Sequence, residues 1–76
     1  MLVKLLEKIE SQGLTVKDLA ERTRYTGAPI SELDLFRKIE NVESLTSGEI
    51  NSISLALGLT TDETLKIFFD GYSIKS

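Results

Sequence analysis

Residues 14–41 read LTVKDLAERTRYTGAPISELDLFRKIEN, two short stretches of helical periodicity separated by a run that belongs to neither. Thr15 stands three residues before Asp18, and Ser31 stands three before Asp34. A hydroxyl at that position accepts a bond from an orphan backbone N–H at a helix start. The acid three residues on reaches back to the cap residue and suits the positive end of the helix. Behind the first signal Val16, Leu19 and Ala20 fall on one helical face; behind the second, Leu35, Phe36 and Ile39 do. Between Ala20 and Ser31 lie ten residues, Glu21 to Ile30. Pro29 holds Ala28 extended and helps direct the chain into Ser31, while Gly27 pulls toward freedom.

Working outward, the same punctuation recurs at Thr46…Glu49 and Thr60…Glu63, each ahead of apolar residues at helical spacing. One such match is cheap; four are a pattern. Gly13, Gly58 and Gly71 each follow a periodic segment, where a residue without Cβ closes the last turn, and Leu59 is placed to add the apolar contact of such a cap. The spacing predicts five helices, over about 2–12, 15–23, 31–42, 46–57 and 61–70. Leu2, Leu5, Leu6 and Ile9 stripe the first, Ile50, Ile53 and Leu57 the fourth, and Leu65, Phe68 and Phe69 the fifth. Core packing is the plain account of each stripe. The expected organisation is one all-α domain over 1–71 followed by a short tail, 72–76, in which Tyr72 and Ile74 alternate with polar residues.

Composition narrows the function. The chain has 76 residues and neither cysteine nor histidine, which removes disulfides, thiolate chemistry, the usual zinc sites and the commonest general base. No catalytic residue, metal or cofactor is expected, and a domain this small rarely encloses a substrate. No apolar run approaches a membrane span and no leader-like segment opens the chain, so a cytoplasmic protein without membrane contact is expected. Net charge is −3, so no overall basic field advertises a polyanion.

The order and lengths of these elements resemble the Cro/repressor-type helix-turn-helix proteins of phages and bacteria. Leu14-Thr-Val-Lys-Asp-Leu-Ala20 is similar to their second helix, in which a small residue lets two helices cross closely. Ser31 to Asn41 resembles the recognition helix, and Leu45 to Thr60 with Ile67-Phe68-Phe69 resembles the closing helices of small prophage-encoded regulators. The resemblance implies a five-helix, lambda-repressor-like fold and a sequence-specific transcription regulator that inserts helix 31–42 into the major groove of double-stranded DNA. This chain departs from the pattern between helices two and three, where about five residues have been added to a turn that commonly holds one Gly followed by Ile-Ser or Val-Ser.

Carried over by position, the resemblance makes Thr15 a cap that offers a hydroxyl or N–H to phosphate, with Lys17 on the outward side of the same helix end. Ser31, Glu32 and Asp34 fall nearest the bases, with Arg37 and Lys38 facing out along the groove. Glu and Asp can accept from cytosine N4, but they repel phosphate, and helix capping is the simpler role for Glu32 and Asp34. A solvated face paired with Asp34 is the simpler role for Arg37 and Lys38. The added residues bring Arg24, Tyr25 and Thr26 to this surface, either as a solvated loop or as one held against the third helix with Arg24 and Tyr25 beside Ser31. Segment 15–38 has five basic residues, Lys17, Arg22, Arg24, Arg37 and Lys38, against four acidic, Asp18, Glu21, Glu32 and Asp34. So few cations predict weak binding by a monomer, and a homodimer through Phe68, Phe69, Tyr72 and Ile74 is the expected remedy. The rival expectation is a helical protein-binding module that engages another repressor or a host protein and has lost DNA binding.

Overall fold

Four backbone caps set the architecture. In the computed structural model, which describes residues 1–41 and 44–69, Thr15, Ser31, Thr46 and Thr60 are extended, and each side chain accepts the N–H three residues on. They open α2 (Val16–Thr23), α3 (Glu32–Glu40), α4 (Ser47–Leu57) and α5 (Thr61–Phe68), preceded by α1 (Val3–Ser11). Each capped helix therefore begins one residue after its cap, and the described residues contain five helices and no strand. At Gly13 and Gly58 the backbone turns left-handed. There Leu14 N–H bonds Ile9 C=O at 3.0 Å and Leu59 N–H bonds Ser54 C=O at 2.9 Å, the six-to-one closure of a helix end. Gly71, Tyr72, Ile74 and the rest of the expected tail lie outside the described residues.

α2 packs on both α3 and α4, while α5 packs on α1 and α4. Leu5, Leu19, Leu35 and Ile53, one from each of the first four helices, are fully buried, joined by Phe68 of α5 and by Ile30 from the segment before α3. No helix among the described residues is long and apolar enough to cross a membrane.

Polar side chains tie the helices end to end. α1 has no side-chain cap; instead Leu2 N–H bonds Ile39 C=O at the end of α3, 2.8 Å away. Two carbonyls at the end of α4 are taken by distant side chains, Leu57 C=O by Nε2 of Gln12, just past α1, at 2.8 Å and Ala56 C=O by Nη1 of Arg22 in α2 at 3.1 Å. A cation at a helix C-terminus meets both the orphan carbonyl and the negative end of the dipole. Two cap acids also serve as tethers. Glu63 takes Thr60 N–H on one carboxylate oxygen and the Lys8 ammonium of α1 on the other, both at 2.9 Å. Glu49 takes Thr46 N–H at 3.0 Å and pairs with Lys38 of α3 at 3.1 Å.

Three expectations need correction. Phe36 is not core: it is 49% exposed, because the inward arc of α3 is filled by Leu35 and Ile39, with Lys38 on its flank. Leu65 is likewise exposed, since Ile67 and Phe68 supply the buried side of α5. Phe68 is buried, which withdraws it from a dimer surface; Phe69 is half-buried.

Candidate nucleic-acid interface

The residues added between α2 and α3 are held. Residues 24–26 unwind α2 into successive tight turns, from Arg24 N–H to Glu21 C=O and onward. Thr23, fully buried, then closes the neck of the loop: its hydroxyl donates to Ala20 C=O at 2.7 Å and accepts Ile30 N–H at 3.0 Å. The loop body lies on Ser52, a buried residue of α4. Thr26 Oγ1 sits 2.8 Å from Ser52 Oγ and 2.9 Å from Ser52 C=O, and Ala28 N–H reaches Ser52 Oγ at 3.3 Å. One proton assignment satisfies every group: Ala28 N–H donates to the Ser52 hydroxyl, that hydroxyl to Thr26, and Thr26 to the Ser52 carbonyl. The held alternative is thus the observed one, but the support is α2 and α4, whereas the sequence suggested α3. Gly27, with φ of 118°, makes the bend.

The loop brings some of the expected residues together. Lys17, Ala20, Glu21 and Arg24 on the α2 side face Pro29, Ile30, Ser31 and Glu32 on the α3 side across an open hollow of about 420 Å³. Tyr25 does not line it and stands 84% exposed beyond. Thr15 is part of a complete capping box: Asp18 Oδ2 accepts Thr15 N–H at 2.9 Å while Thr15 Oγ1 accepts Asp18 N–H at 3.1 Å. That backbone N–H, then the Thr15 hydroxyl and the charges of Arg22 and Lys17, hold the Asp18 carboxyl below its ordinary range. Thr15 N–H is therefore committed, and what Thr15 can offer a phosphate is the proton of its hydroxyl. The box at α3 is half-made. Ser31 Oγ accepts Asp34 N–H at 3.2 Å, but the Asp34 carboxylate lies 4.0 Å from Arg37.

The cations divide by role. Arg22 holds the end of α4, and Lys38, expected to face out, is turned onto Glu49 and Ser44 C=O with only 18% of its side chain exposed. Lys38 sits between the inward and outward arcs of α3, close enough to the start of α4 for its ammonium to serve Glu49. In turn, the Thr46 N–H and then Lys38 hold the Glu49 carboxyl below its ordinary range. Lys17, Arg24 and Arg37 stay on the surface, opposite exposed Asp18, Glu21, Glu32 and Asp34. Arg24 and Arg37 each rest loosely on an acid one turn earlier, Glu21 at 3.7 Å and Asp34 at 4.0 Å. Such exposed pairs give way readily to a better anion. The local basic excess counted along the chain does not survive folding.

Two residues that sequence reasoning missed occupy the outer face of α3. Leu33 is 62% exposed, and with Phe36 one turn on it forms an apolar ridge beside Arg37; Met1 and Val3 of the adjoining chain start are exposed too. The signal was available: a Leu on neither arm of the stripe formed by Leu35 and Ile39. No three His, Cys, Asp or Glu side chains among the described residues gather as a metal ion requires.

No protein-family model, curated protein or solved structure matches this chain.

Proposed function

We propose that this chain is a helix-turn-helix DNA-binding regulator of the Cro/repressor type, with α3 in the major groove. One observation carries the proposal: a face of α2 from Lys17 to its C-terminal cap Arg24 and the N-terminal end of α3, Ser31 and Glu32, line the same hollow. That arrangement lets one helix hold phosphate while the other meets bases. In this scheme the Thr15 hydroxyl, Lys17 and Arg24 contact backbone, and Ser31 and Glu32 lie nearest the bases. Glu32 or Asp34 accepts from a cytosine amino group, Arg37 flanks the groove, and Leu33 meets a thymine methyl. Lys38 keeps its structural role. Three surface cations against four carboxylates give a monomer little non-specific affinity, so pairing of two copies on DNA is part of the proposal.

A mobility shift against the DNA flanking its own gene, at low and moderate salt, tests this. A retarded complex that weakens steeply with salt is expected; no complex even at low salt would overturn it. The exposed ridge of Leu33 and Phe36, set among carboxylates, favours a second reading in which α3 binds a protein. Leu33→Ser with Phe36→Ser separates the two. Altered operator preference supports DNA, whereas unchanged DNA binding assigns the ridge to a protein partner.

A further inference from the structure

α4 and α5 do not close on each other along their outer side. Between them runs an open groove of about 500 Å³, floored by Ile50, Leu55, Leu59, Leu65 and Phe69. Leu55 and Leu65 are among the exposed large apolar residues of the described chain. The rest of the lining is Ser, Thr and Asn, so no charged residue borders the groove among the described residues. In a chain with 28% charged residues that sets it apart. The hollow between α2 and α3 carries Lys17, Glu21, Arg24 and Glu32, and the one between α1 and α5 carries Lys8 and Glu63. The inner hydroxyls of the groove are already paired, with Thr64 Oγ1 2.9 Å from both Ser54 Oγ and Thr60 C=O. Covering them therefore costs little desolvation.

We infer that a second copy of the chain packs on this groove, with Leu55 of each protomer entering the groove of the other across a two-fold axis. The purpose of such a pair rests on the DNA reading above, in which two copies double the phosphate contacts. Charge selects the occupant. Each copy has a net charge of −3 and repels the other, so two copies meet best where neither presents charge. Near a two-fold axis each residue lies close to its own counterpart, and a charged lining would set like against like. This groove sets Leu against Leu. Asn51, exposed one turn before Leu55, carries both donors and an acceptor for its counterpart. A charged partner of another kind finds nothing here to steer it. Area sets the strength. α4 and α5 have eleven and eight residues, so at about 1.5 Å per residue and about 10 Å across they frame a face of roughly a few hundred Å². A stable complex buries about 800 Å² per partner. The pair is therefore weak in free solution, and DNA that holds both copies completes it. The groove and the α2–α3 hollow share no residue, so pairing leaves the lining of the hollow uncovered. Phe69 stays in the contact expected from the sequence, while Leu55 and Leu65 take the place of buried Phe68.

Sedimentation equilibrium of the full chain without DNA is expected to show a monomer–dimer equilibrium. Leu55→Glu is expected to raise its dissociation constant more than about tenfold, by setting two carboxylates face to face. Melting is expected to stay unchanged, because Leu55 is exposed. Leu55→Lys is expected to act likewise, and an equimolar mixture of the two variants to dimerise at least as well as the parent. Leu33→Glu, on the other exposed apolar surface, is expected to leave the dimer intact. A parent that stays monomeric up to about 1 mM would overturn the assignment and leave the groove to a different protein. A dimer that survives Leu55→Glu, one that is lost in Leu33→Glu, or a mixture that stays monomeric would overturn it too. These measurements contain no DNA, so they fail separately from the mobility shift. A dimer that forms no DNA complex sinks only the regulator, and a monomer that binds DNA sinks only the pairing.

Discussion

The hydroxyl of Ser52 in α4 lies 2.8 Å from that of Thr26 in the loop between α2 and α3; Ser52 is fully buried and Thr26 half-buried. Ser52 follows the polar residues Ser47, Glu49 and Asn51 in SGEINSISLAL, where the core stripe passes through Ile50, Ile53 and Leu57. A small residue with a donor and two acceptor sites is what the loop backbone needs there. Ser52→Ala leaves Ala28 N–H without its acceptor and removes the hydroxyl that donates to Thr26 Oγ1, while Thr26 keeps its bond to the backbone carbonyl of residue 52. The expected cost is about 1–3 kcal/mol, seen in thermal or denaturant unfolding, together with faster amide exchange over residues 24–30. Unchanged exchange in that segment would show that the loop is held by Thr23 alone.

Ala20 is buried where α2 passes the segment leading into α3, and it borders the hollow with Ile30 and Ser31. Ala20→Leu adds three carbons at this approach and is expected to destabilise by about 1–3 kcal/mol through overpacking. A neutral melting temperature would mean that the two helices do not approach closely at this residue.

Arg37 and Lys38 adjoin in sequence but differ in role, so they separate in mutants. Lys38→Ala removes the ammonium from Glu49 and from Ser44 C=O, and is expected to lower stability more than Arg37→Ala, whose loose pair with Asp34 is worth little. On DNA the order reverses. Arg37→Ala is expected to weaken binding to all sequences and reduce the salt slope, with melting unchanged. Equal effects of the two on melting and on binding would contradict the division.

How far the chain was legible follows the range of each interaction. The caps at Thr15, Ser31, Thr46 and Thr60 act across three residues, so the periodic stretches behind them read correctly as helices. Glu49 read correctly as a cap, yet nothing local showed that Lys38, eleven positions earlier, would share its carboxylate. Ser52 looked like an interruption of a stripe because its partners, Thr26 and Ala28, are more than twenty residues away. The basic excess of segment 15–38 was a count along the chain, and folding spent Arg22 and Lys38 on the framework.

Glu49 also sets an acid response. Its carboxyl titrates below the ordinary glutamate value of 4.5, chiefly through the Thr46 N–H, then through Lys38. A depressed folded value means that the native state favours the carboxylate. The stability it confers is complete above the ordinary value and is lost as pH falls through the folded one. Urea midpoints of the parent are expected to fall on acidification below about pH 4.5, and Glu49→Gln is expected to start lower and fall less. Equal slopes for the two proteins would show that Glu49 does not carry this part of the acid sensitivity.

The loop itself gives the last prediction. Because Thr26 and Ala28 are bonded to Ser52, replacing residues 24–29 by a short Gly-containing turn removes contacts as well as length. The entropy recovered by shortening is small, on the order of a few tenths of a kcal/mol, so a lower melting temperature is expected. Arg24 takes no part in the latch. Its guanidinium lies 3.7 Å from Glu21 on the surface and lines the hollow with Lys17, Ser31 and Glu32. Arg24→Ala is therefore expected to leave melting unchanged while weakening DNA binding and flattening its salt dependence. The pair of variants divides the loop into a scaffold, carried by Thr23, Thr26 and Ala28, and a contact, carried by Arg24. DNA affinity retained in Arg24→Ala, with the parent's salt slope, would leave only the scaffold.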